Sequence, residues 1–170
     1  MTPLQWILRV SLAIGLALFV QGVLVHGLLP AGFGVNLLVV LAVFLAFYDP
    51  TVRGLLLCFL IGIVFDIQGA RLLGPWAGAF VIVFAVLNSV SQHIFVESTF
   101  TIMVSVFLST VFSSLFFLVL SLDWSRIGAG SMGYLLLEAT LTALVAPLVF
   151  KLLRRVFRAH RIGSSRISMV

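Results

Sequence analysis

The sequence predicts an all-α, polytopic membrane helix bundle of about six transmembrane helices with both termini in the cytoplasm. Three observations predict it. Of 170 residues, 62% are hydrophobic and only 9% are charged, against about 25% charged in a soluble domain. The apolar runs continue without period-2 alternation, which fits helices rather than barrel strands. The basic residues gather at one set of span ends, as membrane topology requires.

The length leaves room for one transmembrane domain, residues 1–150, and a short basic tail, residues 151–170. Span 1 covers Ile7–Leu29, with Arg9 as its inner anchor. It is too long for a signal-peptide core and shows no small-x-small cleavage site before His26, so it is expected to be retained. Pro30, Gly32 and Gly34 turn the chain outside. Span 2, Phe33–Phe47, is short; the alternatives are a span with little tilt, one that begins within the interface, or a re-entrant segment. Tyr48-Asp49-Pro50 is the inner turn. Span 3 follows Arg53 and ends near Gln68, Gly69 and Arg71. Pro75 and Trp76 open span 4, which reaches Val90. Span 5 covers Thr99–Leu120 and span 6 Met132–Phe150. With the N-terminus inside, Arg9, Arg53 and the six basic residues of the tail lie inside, and only Arg71 and Arg126 outside.

Two acids interrupt the spans. Asp66 lies roughly 18 Å into span 3 and Glu138 about 10 Å into span 6 from the outer end. An ionisable group at such depth faces protein or water. One reading is a proton or cation site. The alternative, favoured because proton relays use more ionisable groups than these spans hold, is a polar clamp. Each acid would then be held by a Ser, Thr, Asn or Arg71 of a neighbouring span.

Several stripes of small or polar residues suit close helix packing. Gly54, Cys58, Gly62 and Asp66 are spaced by four on span 3, and Gly74 and Gly78 form a GxxxG at the head of span 4. Thr101, Ser105, Ser109 and Ser113 line span 5, and Gly130, Tyr134, Glu138, Thr142 and Ala146 line span 6. Phe112, Phe116 and Phe117 read as lipid-facing bulk. In the tail, Lys151, Arg154, Arg155 and Arg158 share one face. They suit anionic lipid or an acidic cytoplasmic protein, not nucleic acid.

Catalytic patterns are poor. Residues 128–133 match G-x-G-x-x-G literally but sit in a predicted external loop without a βαβ unit. His26, His93 and His160 fall at span ends or in the tail and form no metal cluster, and the single cysteine, Cys58, excludes an intrachain disulfide. No cofactor is expected.

The segment from Leu29-Pro30 through Tyr48-Asp49-Pro50 to Gly54, Gly62-Ile63-Val64-Phe65-Asp66-Ile67-Gln68-Gly69 and Leu73-Gly74 resembles the MreD family of rod-shape-determining membrane proteins. The likeness covers most of the chain and is most specific in the Gly-to-Asp-to-Gly part of span 3. Asn36 departs from the acidic residue that the family often carries at the start of its second span, and Arg71 adds a positive charge beside Gly69. The resemblance implies a non-enzymatic scaffold in the bacterial inner membrane. Its implied partners are MreC and, through the wider cell-wall elongation complex, MreB, RodA and its penicillin-binding protein. Asp66, Gly62, Gly69 and Gly74 are the expected hinge of the span 3 to span 4 turn. The competing expectation is a substrate-binding membrane subunit of a vitamin-type transporter, with Asp66, Arg71, Asp123, Trp124 and Glu138 near an outer pocket.

Overall fold

The structure, a computed structural model, describes residues 3–23, 34–69, 74–91, 98–120 and 129–157. These residues form helices and no strands: α1 Pro3–Val23, α2 Leu37–Tyr48, α3 Val52–Gly69, α4 Pro75–Ser91, α5 Thr99–Leu120 and α6 Ala129–Phe157.

The shortest helix is the centre. The α2 sequence, LLVVLAVFLAFY, is apolar on every side, and Leu37 through Ala46 are all buried. A helix without a polar face must be covered all round. Helices α1, α3, α4, α5 and α6 all pack against it. The wall is built from two tight pairs, α3 with α4 and α5 with α6, joined where α4 meets α5. At 12 residues, α2 is about 18 Å long, well short of a hydrocarbon core of about 30 Å. Protein on every side removes the need to reach both membrane faces. Residues 34–36 precede it in non-helical conformation, which an apolar environment tolerates only where protein covers the backbone.

Aromatic rings close the end where α2 stops. Phe44 stacks on Tyr48 at 4.5 Å, and Phe150 of α6 meets Phe44 edge-on at 5.4 Å. The Arg154 guanidinium lies 5.3 Å from the Tyr48 ring centre. Thus α2 and α6 run parallel, with Asn36 at the level of Thr142 and Tyr48 near Arg154.

A few polar side chains lie inside the apolar core, and many large apolar ones lie outside. Asn36, Asp66, Ser109, Ser113 and Thr142 are buried, whereas Leu12, Phe19, Leu56, Phe100 and Leu148 are exposed. Among the described residues, Thr99–Leu120 and Met132–Arg155 are long and apolar enough to cross a membrane. The α2 and α4 helices are apolar but shorter.

Helix α6 differs from its expected bounds. It continues through the start of the basic tail to Phe157, because Leu153 is buried and Arg154 packs on Tyr48. At its other end, Ala129–Gly133 is the first turn of α6 rather than a loop. The phenylalanine trio of α5 is also not uniformly outward. Phe112 is exposed, but Phe116 packs on the core and Phe117 stacks on Trp76 at 5.5 Å.

Candidate functional site

The α3 face spaced by four is wholly buried: Gly54, Cys58, Gly62 and Asp66 all point inward. At Gly62 the backbones of α3 and α4 touch. A methyl group there would stand 2.7 Å from the Ala77 nitrogen and 2.9 Å from the Trp76 carbonyl oxygen. Only hydrogen fits, so the first turn of α4 rests directly on α3. Cys58, one turn back, is a small packing residue whose Sγ donates to the Ala42 carbonyl of α2 at 3.6 Å.

One turn beyond Gly62 lies Asp66, 2% exposed. Its carboxylate accepts three backbone hydrogen bonds from the start of α4: Gly74 N–H to Oδ2 at 2.9 Å, Trp76 N–H to Oδ1 at 3.1 Å and Ala77 N–H to Oδ2 at 3.2 Å. The local sequence explains why. Gly74 stands just before the helix with φ +121°, a conformation that strains any residue with a Cβ, and it has no side chain to cap with. Pro75 takes the first helical position, where its missing N–H is no loss. The remaining free amides face α3, and Asp66 caps them from the neighbouring helix. Negative charge at the positive end of a helix adds to the stabilisation. Charged-acceptor hydrogen bonds contribute about 1.5–3 kcal/mol each. Phe65 and Trp76, with ring centres 4.4 Å apart, cover the junction.

Glu138 is half-buried on α6 and serves a different helix start. Asn36 is the cap of α2: its Oδ1 accepts from the Val39 N–H at 3.2 Å. The Asn36 backbone N–H donates to Thr142 Oγ1 at 3.0 Å. The Asn36 side chain lies beside the Glu138 carboxyl group. A Cβ on Gly34 would lie 3.8 Å from the Glu138 carboxyl carbon.

The expected hinge residues therefore fall into distinct places. Asp66, Gly62 and Gly74 meet at the α3–α4 junction, and Gly69 ends α3. Arg71 lies outside the described residues, as do Arg158, Asp123, Trp124 and the three histidines. The Gly74–Gly78 pair is not a packing seam. A Cβ on Gly74 would meet nothing within 4 Å, and one on Gly78 only the Phe116 ring at 3.5 Å. Gly74 serves a turn, and the backbone contact belongs to Gly62 and Ala77 instead. Among the described residues, which do not include Arg71, Asp66 is held by main-chain amides rather than by a Ser, Thr or Asn side chain. Of the polar stripes, Ser109, Ser113 and Thr142 are buried, while Tyr134 is exposed. An Asn directly before an apolar run is a helix-start signal, and Asn36 caps α2 in that way. Lys151 and Arg155 are exposed on the α6 extension.

No group of three or more potential metal ligands occurs among the described residues. Comparison of the chain with protein-family models, curated proteins and solved structures finds no match.

Proposed function

We propose that this chain is a non-enzymatic, multi-pass scaffold of the bacterial inner membrane. In this reading it has six spans and binds the membrane and juxtamembrane parts of MreC within the cell-wall elongation complex. MreB, RodA and its penicillin-binding protein are the wider partners, and the basic end of α6 lies on anionic lipid. The observation that carries the reading is the use of the two buried-segment acids as helix fasteners. Asp66 ties α4 to α3 through three backbone amides, and Glu138 braces the Asn36 cap of α2. A rigid core inside an apolar exterior suits a protein that presents helix faces to other membrane proteins. The resemblance of the Gly54–Gly74 segment to the MreD family supplies the identity of the partner.

A second reading, a substrate-binding subunit of a small-molecule transporter, draws on one observation. Glu138 is only half-buried, beside the non-helical residues that lead into α2.

Affinity purification of the tagged protein in mild detergent, with mass spectrometry of proteins and small molecules, separates the two. Stoichiometric MreC is the expected result. Recovery of ATPase subunits or a bound vitamin, without MreC, overturns the scaffold reading.

A further inference from the structure

Of the two acids within the apolar helices, Asp66 has its oxygens filled by three backbone amides. Glu138 does not. The helix start beside it is complete without it: Asn36 Oδ1 accepts from the Val39 N–H, and the Asn36 N–H donates to Thr142 Oγ1. Among the described residues no Lys or Arg pairs with the Glu138 carboxylate. An acid inside a membrane span is costly and is retained where it meets a partner.

The carboxylate is open on one side. Along one face of α6, Ala146 and Thr142 are fully buried, Glu138 is half-buried and Tyr134 is 57% exposed. The seam between α6 and α2 therefore opens toward the end of α6 opposite Lys151 and Arg155. A helical side chain leans over the turn before its own Cα, so Glu138 leans toward Tyr134. Gly34 leaves room on the α2 side, where even a Cβ would stand 3.8 Å from the Glu138 carboxyl carbon. A carboxylate with an aromatic ring one turn away suits a cation. A metal ion is poorly served, because the Asn36 and Thr142 oxygens already accept backbone hydrogens and no group of three acidic, His or Cys ligands forms among the described residues. A guanidinium or ammonium needs no such shell. Glu138 lies about 10 Å beyond Met132, where the apolar stretch begins, a depth that a long basic side chain bridges while its stem stays in apolar surroundings.

We propose that Glu138 is the docking point for an Arg or Lys side chain near the outer end of a partner's membrane helix, with Tyr134 flanking the pair. The inference rests on the scaffold reading and adds to it the point of contact and the chemistry of the partner residue.

The test uses the full-length protein in native membranes. The photo-crosslinker benzoylphenylalanine is placed at Tyr134 and, as a control on another outward face, at Leu56. Two further proteins carry Glu138→Gln or Glu138→Lys. The Tyr134 probe, and not the Leu56 probe, is expected to mark the partner's membrane helix within a turn of an Arg or Lys. Glu138→Gln lowers recovery of MreC about fivefold and Glu138→Lys about tenfold or more. The thermal midpoint of the purified Glu138→Gln protein changes little, which a merely structural role for the acid would not allow. Changing the marked basic residue of the partner to Glu restores recovery by Glu138→Lys. If the unaltered protein recovers its partner and both variants do so equally well, the Glu138 assignment falls and the scaffold reading stands. The assignment falls in the same way if Tyr134 adducts are confined to lipid or to a second copy of this chain. It falls too if Arg126→Glu within this chain, and not the partner's change, rescues Glu138→Lys. A small amine that co-purifies with the unaltered protein and is lost in Glu138→Gln, with MreC recovery unchanged, transfers the site to the transporter reading. If the unaltered protein recovers no membrane partner, the assignment and the scaffold reading both fail.

Discussion

Asp66 and Glu138 are both carboxylates beside the start of a short helix, yet they are not equivalent. The helix that begins at Pro75 has no capping side chain of its own, because Gly74 precedes it. Asp66 must bind the backbone amides directly, and it binds three. The helix that begins at Leu37 is capped by Asn36, so Glu138 meets the cap and not the amides. A carboxylate is indispensable where it replaces a cap and dispensable where it supports one. The packing agrees. The Asp66 junction has backbone against backbone at Gly62, whereas the Glu138 junction is made of side chains and a half-buried edge.

The difference predicts an order of effects, each measured as thermal or denaturant unfolding of the detergent-purified protein. Gly62→Leu should be the most severe, at about 4 kcal/mol or more, because the clash is with the α4 backbone and no side chain can move aside. A well-folded, monodisperse Gly62→Leu protein would remove the basis for calling this junction rigid. Asp66→Ala comes next, at about 3–5 kcal/mol, since it strands three buried amides. Asp66→Asn should fall between it and the parent, as one carboxamide oxygen still accepts. Equal losses for Ala and Asn would assign the role to charge alone.

Gly74→Ala should cost about 1–2 kcal/mol through its positive φ, and Gly78→Ala almost nothing, since its Cβ meets only a ring at ordinary contact distance. A larger loss at Gly78 would reinstate the GxxxG as a seam. The smallest effect is expected of Glu138→Gln, under about 1 kcal/mol, because the substitution keeps the shape of the side chain and the Asn36 cap keeps its own bond from the Val39 N–H. A loss as large as that of Asp66→Ala would erase the distinction between the two acids.

Much of this was legible in the chain. The period-four run Gly54, Cys58, Gly62, Asp66 marks one face of a helix without any tertiary information, because side chains four apart overlie one another. Gly74-Pro75 marks a helix start for equally local reasons. The bounds of α5 follow from the length of its apolar run. The Gly74–Gly78 spacing misleads because GxxxG describes a helix face, and Gly74 is not in the helix. The end of α6 was out of reach as well. Its basic residues look like a boundary, but Leu153 and Arg154 find partners on the core that the local sequence does not reveal.

By itself, then, the sequence determined the all-helical character, the apolar exterior and the presence of an acid that has to be neutralised inside, because these depend on composition and on helical periodicity. Tertiary structure alone decided that the weakest-looking span, α2, is the centre. It also decided that Asp66 answers to the amides of α4 and that Glu138 answers to Asn36. Which donor meets which acceptor depends on how helices distant in sequence lie beside one another. For these helices that is set by contacts as specific as a glycine hydrogen against a neighbouring backbone.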